Sequence, residues 1–125
     1  MVFGVFDLLH EGHISFLKQA KNKGHFLIVS VARDANVKKI KGRKPVWSER
    51  KRAQALRSLP FVDKVVLGGL YNPLPHIRKE KPDIIALGYD QKPYVAKVQL
   101  KQIAKIVRLK GYKPGIYKSS YFRHD

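Results

Sequence analysis

Short apolar runs alternate along the chain with segments in which apolar side chains return every three or four positions. The runs are rich in β-branched and aromatic residues and predict buried strands, whereas the spacing of three or four predicts amphipathic helices. The last run could instead extend the helix before it, but the β-branched Ile106 and Val107 and the closely following Gly111 favour a strand. The predicted strands cover residues 2–6, 26–32, 64–67, 83–87 and 104–109.

Helix-capping and helix-breaking residues mark the segments between these runs. The first helix follows the first run and ends before Gly24. Ser48 is the predicted N-cap of another helix, which Pro60 ends, and residues 74–81 form a short helix. Lysine dominates residues 37–44, and we predict a basic loop there.

This order of elements predicts the fold. Strands that read as continuous apolar runs and alternate with helices are typical of a parallel sheet covered on both faces. With 125 residues the chain has the size of one domain with one core. We therefore predict a single α/β, Rossmann-like domain over residues 1–125, with a five-stranded parallel sheet and helices on both faces. Ligands of such sheets bind beyond the carboxyl ends of the strands, where "FDLLHEGH" is placed.

Composition narrows the classes of function. The chain has 26 Lys and Arg against 9 Asp and Glu, and its net charge of +17 favours anionic partners such as nucleotides, RNA or acidic membranes. The absence of cysteine excludes disulfides, thiol nucleophiles and thiolate metal ligands. No apolar run approaches the length of a membrane span, and no secretory signal is recognisable. A soluble, cytoplasmic protein with no membrane partner is the expectation.

Two histidines, His10 and His13, stand three positions apart at the junction between the first strand and the first helix. A metal pair on one helix is typically spaced by four and accompanied by another ligand, so this spacing does not favour a metal site. Free backbone N–H groups and the helix dipole attract phosphate at such a junction, and Gly12 allows a close approach. The alternative is that His10 caps the helix and His13 packs against it.

The segment "GVFDLLHEGH" resembles the G-[TV]-F-D-x-x-H-x-G-H signature of the cytidylyltransferase-like nucleotidyltransferases. Within that superfamily the chain is similar to the archaeal FAD synthases, which are FMN adenylyltransferases. The similar segments are "ARDANVKKIKGRKP", "FVDKVVLG", "KPDIIALGYDQ", "IVRLKGYK" and a late "SS", and they extend over nearly the whole chain.

The resemblance implies roles for individual residues. His10 and His13 would hydrogen-bond the triphosphate and stabilise the transition state, and Lys41 of the basic loop would be the third catalytic residue. Asp7 would organise the phosphate loop, and Asp90 would contact the nucleoside. The implied nucleotide-binding residues are Val5, Phe6, Asp7, His10, Glu11, Gly12, His13, Arg43, Arg52, Asp90, Tyr112, Ser119 and Ser120, and no residue is assigned as a metal ligand.

The implied activity is transfer of AMP from ATP to FMN, which gives FAD and pyrophosphate. We expect Mg²⁺ to accompany the nucleotide, ATP and FMN to be the substrates, and the protein to form a homodimer. One alternative is a cytidylyltransferase that uses CTP and glycerol 3-phosphate. The other, suggested by the charge of +17, is a basic nucleic-acid-binding domain that keeps the fold. For the enzyme we expect only weak, salt-sensitive RNA association.

Overall fold

The computed structural model describes residues 1–69, 73–89, 91 and 97–111. All five predicted strands are present within their predicted ranges. The helices predicted before Gly24, after Ser48 and over residues 74–81 are present as well. No helix among the described residues is both long and apolar enough to cross a membrane. The elements are β1 (Val2–Gly4), α1 (Glu11–Lys21), β2 (Ile28–Val31), α2 (Asp34–Lys41), α3 (Glu49–Arg57), β3 (Lys64–Leu67), α4 (Pro73–Glu80), β4 (Ile84–Leu87), α5 (Lys97–Lys101) and β5 (Lys105–Arg108).

The described strands form two parallel sheets, so the prediction of a single five-stranded sheet is wrong. One sheet has the order β1-β2-β3, and the other is the pair β4-β5. The two sheets meet at Met1, whose backbone nitrogen donates to Ile84 O at 2.8 Å and whose carbonyl accepts from Ala86 N at 3.1 Å. Two hydrogen bonds at one residue place β4 beside β1 but do not make a continuous ladder.

Helices cover both faces of the strands, as predicted. Alternate residues of β2 point to opposite faces, so Val29 joins one apolar cluster and Ile28 the other. The first cluster contains Leu17 of α1 and Leu56 of α3, both fully buried. The second contains Ile77 of α4, which is 2% exposed, together with Leu100 of α5. The carboxyl ends of β1, β2 and β3 are thereby fixed side by side.

Most of the predicted basic loop over residues 37–44 is helical, so that prediction is wrong for residues 37–41. Helix α2 begins at Asp34, and Val37 is buried against the rest of the protein. It ends where Gly42 adopts a left-handed conformation with φ of 81° and donates its N–H to Lys38 O at 2.8 Å. Lysine is a good helix former, and a glycine after a basic last turn is a common helix ending.

Replacing Gly42 with alanine should destabilise the protein by about 1 kcal/mol, because a side chain is strained at this positive φ. Gly24→Ala is the matched control, since a Cβ at Gly24 meets no atom within 4 Å. Urea denaturation of both variants measures the difference. Equal free energies of unfolding for the two variants would contradict the assigned ending of α2.

Candidate active site

The turn that follows β1 has an unusual backbone. Phe6 and Leu8 both have positive φ, 55° and 50°, in a region that non-glycine residues rarely occupy. Between them, Asp7 is 1% exposed, and its two carboxylate oxygens accept hydrogen bonds from Trp47 N at 2.8 Å and Val46 N at 2.7 Å. Asp7 therefore fastens the turn after β1 to the segment that precedes α3.

Aromatic packing holds the same turn against α1. The Phe6 ring is 3% exposed and lies edge-on to the His13 ring, with 5.6 Å between ring centroids. It also packs against Phe16, at 6.1 Å. A Cβ atom at Gly4 would lie 2.8 Å from a carbon of the Phe6 ring, so the glycine leaves the space that the ring occupies.

His10 and His13 cap the first turn of α1 reciprocally. His10 is the N-cap residue, and its Nδ1 accepts from Gly12 N at 3.0 Å, while Nδ1 of His13 accepts from His10 N at 3.3 Å. Their rings are stacked, with 3.8 Å between centroids. Since Nδ1 is an acceptor in both rings, the neutral tautomer carries its proton on Nε2. The cap that the alternative placed at His10 is therefore present. Because it uses Nδ1, it leaves the proton of each ring on Nε2, where the N–H can donate.

Arg52, which the resemblance places among the nucleotide-binding residues, is fully buried. Its Nη1 donates to Val5 O at 2.8 Å, its Nε to Trp47 O at 3.1 Å, and its Nη2 to Asp34 Oδ1 at 2.6 Å. These contacts connect the end of β1 with α2 and α3. Nucleotide binding by Arg52 stays a prediction, whereas the observed contacts are structural. Its place on the same helix face as Leu56 is the sequence signal of burial.

The first residues of α2 and α3 cap each other, a contact that the sequence analysis missed. Asp34 N donates to Glu49 Oε1 at 2.9 Å, and Glu49 N donates to Asp34 Oδ2 at 3.1 Å. Carboxylates are stabilising at helix N-termini, where backbone N–H groups lack helical partners. Acidic residues at both helix starts were the available signal, but their pairing depends on the tertiary fold. These two hydrogen bonds thus hold the N-termini of α2 and α3 together.

A cavity of about 300 Å³ opens where β1, β2 and β3 end. It is lined by Gly4 and Val5, so it adjoins the turn that leads to the histidine pair. Apolar side chains form much of its wall, and Lys39 and Lys41 line it as well. Its apolar side chains are Phe3, Val5, Ala32, Val37, Ile40 and Pro73.

Two polar residues of this cavity, Ser30 and His76, were not predicted as site residues. Ser30 Oγ and His76 Nε2 are 2.8 Å apart, within hydrogen-bonding distance. Burial lowers the pKa of His76, and the charges of Arg33 and Lys79 lower it further, while Glu80 acts in the opposite direction. His76 therefore stays neutral at neutral pH. A serine inside the apolar run "FLIVSVA" was the available sequence signal.

The structure brings some of the other predicted residues to the same edge of the sheet. Lys41 is the last residue of α2, is exposed and lines the cavity. Arg43 lies just beyond it and is exposed, and Glu11 and Gly12 are the first two residues of α1. The predicted residues that lie outside the described part of the chain are Asp90, Tyr112, Ser119 and Ser120.

Metal-ligating side chains do not gather in the described part of the chain. No group of three or more His, Asp or Glu that could hold a metal ion occurs among these residues. Asp7 uses both carboxylate oxygens on backbone N–H groups. A divalent cation that binds through phosphate oxygens and water would not require such a cluster.

A family model and curated proteins both match this chain. The cytidylyltransferase-like family model matches residues 1–123. The chain is 55% identical over 93 residues to the FAD synthase of Pyrococcus abyssi and 50% identical over 93 residues to that of Pyrococcus horikoshii. Each match covers 73% of this chain and 62% of the relative, so the chain spans less than two thirds of the length of these curated relatives.

A solved structure is matched over a larger share of its own length than these relatives are. The crystal structure of the lipopolysaccharide core biosynthesis protein from Thermoplasma volcanium superimposes with a TM-score of 0.80 and 39% sequence identity. The match covers 90% of this chain and 96% of that one. The likeness therefore extends over nearly the whole fold.

Replacing Arg52 with methionine should destabilise the protein by about 3 kcal/mol or more, because it leaves two carbonyl oxygens and a carboxylate without their donor. Arg57→Met on the same helix is the matched control, since Arg57 is exposed, and it should change stability by less than about 0.5 kcal/mol. Urea denaturation measures both. A similar, small effect of the two substitutions would show that the Arg52 contacts contribute little.

Proposed function

We propose that this chain, which belongs to the cytidylyltransferase-like family, transfers AMP from ATP to FMN, giving FAD and pyrophosphate. The observation that carries the proposal is the pair of imidazole rings at the start of α1. Each uses Nδ1 in the helix cap, which leaves its proton on Nε2 as a donor for phosphate. The similarity to two archaeal FAD synthases supports the choice of substrates.

The reaction requires that the two substrates are correctly positioned and that developing negative charge is stabilised, and it requires no covalent nucleophile. A phosphate oxygen of FMN attacks the α-phosphorus of ATP and forms the new P–O bond. The bond from the α-phosphorus to the oxygen that bridges to the β-phosphate breaks, and pyrophosphate leaves with the electron pair. Negative charge grows on the leaving oxygen and around the α-phosphorus. Donors held in place beforehand stabilise this charge without reorganising during the reaction.

His10 and His13 are such donors in this proposal. Their rings are stacked, and the backbone hydrogen bonds to Nδ1 limit their rotation. They stand at the N-terminus of α1, where the helix dipole and the first N–H groups also favour phosphate. Lys41, at the end of α2, would add a positive charge from the adjoining cavity.

The cavity would hold the acceptor. Its apolar wall suits a planar ring more than the small polar body of glycerol 3-phosphate, and its lysines suit a phosphate group. This observation favours FMN over the CTP and glycerol 3-phosphate alternative. Mg²⁺ would enter with the triphosphate, where it neutralises charge on the phosphate oxygens. Homodimer formation, weak RNA association and a cytoplasmic location stay predictions.

A substrate panel tests the proposal directly. ATP or CTP is combined with FMN, glycerol 3-phosphate, phosphocholine or phosphopantetheine in the presence of Mg²⁺, and pyrophosphate release and product are measured. We expect FAD from ATP and FMN. Turnover of CTP with glycerol 3-phosphate, and none of ATP with FMN, would assign the alternative activity. Tight RNA binding at physiological salt with no turnover of any pair would favour the nucleic-acid-binding domain.

The roles of the two histidines can be separated from helix capping. Asn at position 10 and Gln at position 13 keep an oxygen that accepts the capping hydrogen bond, but their flexible amides lack the rigid ring that holds Nε2–H in place. His10→Asn and His13→Gln should therefore remain folded and each lose about 10²–10³-fold in kcat, the cost of one preorganised donor. His25→Gln, at an exposed histidine, is the control and should leave kcat unchanged. If all three variants turn over like the parent, the histidines do not act on phosphate.

A further inference from the structure

We propose that Ser30 and His76 form a specificity contact for the acceptor, in which the imidazole hydrogen-bonds an uncharged, amide-like edge of a planar ring. This inference rests on the proposed function, because it takes FMN as the acceptor. It adds two residues to the site and assigns them to the ring of the acceptor rather than to its phosphate.

Ser30 lies where the pattern of β2 calls for an apolar side chain. The other three residues of the strand are Ile28, Val29 and Val31, and all four are buried. Ser30 shares its face with Ile28, which is the face that α4 covers. A buried hydroxyl costs free energy unless it has a hydrogen-bond partner, and here that partner is His76 on α4. Ser30 is 3% exposed, yet it reaches the wall of the cavity.

His76 joins this hydroxyl to the cavity. The next residue, Ile77, packs into the apolar cluster beneath α4 and fixes the helix against the sheet. Within the described ranges, the hydrogen bond to Ser30 through Nε2 is the one that the His76 ring makes. The ring also lines the cavity, and because Nε2 is used on Ser30, Nδ1 is the nitrogen that would serve a ligand there.

The pair can present either a donor or an acceptor. If the serine hydroxyl donates to Nε2, the neutral ring carries its proton on Nδ1 and donates to a ligand carbonyl. If Nε2 donates to the hydroxyl, Nδ1 accepts from a ligand N–H. An amide-like ring edge carries both kinds of group. Because burial lowers the pKa of His76, the contact is neutral at neutral pH and does not compete with the lysines for phosphate.

Space next to the pair is kept by a glycine. A Cβ at Gly68 would lie 3.6 Å from Ser30 Oγ and 3.4 Å from Val31 O, so even alanine would fill the region beside the hydroxyl. Gly68 and Gly69 both line the cavity. Their small size leaves room for a flat ring near Ser30, while the lysine side chains of α2 supply charge to the same cavity.

The alternative is that the hydrogen bond only tethers α4 to the sheet, and kinetics distinguish the two. His76→Phe keeps an aromatic ring but removes both nitrogens, and His76→Gln restores an amide that can hydrogen-bond. We expect His76→Phe to raise KM for FMN about 5–10-fold, the value of one hydrogen bond, with KM for ATP unchanged. His76→Gln should recover part of this loss, and Ser30→Ala should show a smaller rise. His25→Gln is the control at an exposed histidine.

Titrating FMN with each variant and following its fluorescence gives the Kd for FMN, so the variants can be compared without turnover. This measurement can be made even if the parent forms no FAD. An unchanged Kd and KM for FMN in folded His76→Phe would overturn the inference, as would equal rises of KM for ATP and FMN together with lost stability. If His76→Phe does not fold, an unchanged KM and Kd for FMN in Ser30→Ala would overturn it. Failure of the parent to form FAD would instead count against the proposed function.

Discussion

The site depends on the reciprocal cap by which two imidazole rings, those of His10 and His13, close the N-terminus of α1. A helix start leaves several N–H groups without helical partners, and here two side chains satisfy two such backbone donors through Nδ1. The same hydrogen bonds fix which nitrogen carries the proton and how each ring is oriented. A capping role and a phosphate-binding role are therefore not exclusive, because they use different nitrogens of the same ring.

The turn that leads to this cap is held by groups distant in sequence. Asp7 binds two backbone N–H groups ahead of α3, and Arg52 of α3 returns a hydrogen bond to Val5 O. Asp34 connects this pair of contacts to the start of α2. A buried guanidinium is costly unless its donors are used, and each of its three nitrogens has an acceptor here. The conformation of the turn is thus set by α2 and α3 as much as by its own sequence.

Local patterns predicted the elements, and long-range contacts account for what they missed. The apolar runs located the strands, and the predicted cap at Ser48 is observed, with Ser48 Oγ accepting from Lys51 N at 3.2 Å. Lysine content obscured α2, in which Val37 is the single buried residue. The pairing of Ser30 with His76 spans 46 residues and has no local signature. The division into two sheets depends on how few hydrogen bonds connect β1 with β4, which no composition reveals.

The site therefore combines a motif that is recognisable in the sequence with long-range contacts that the sequence does not reveal. The motif supplies the residue types, whereas the fold decides which atoms of those residues are used by the protein and which can serve a ligand. The most direct test is a long-range ¹⁵N–¹H correlation spectrum of the imidazole rings at neutral pH, assigned with His10→Asn and His13→Gln. We expect both rings to carry a proton on Nε2 and none on Nδ1, which accepts the capping hydrogen bond. A proton on Nδ1 of either ring would contradict it, because that ring could not then accept the hydrogen bond that caps α1.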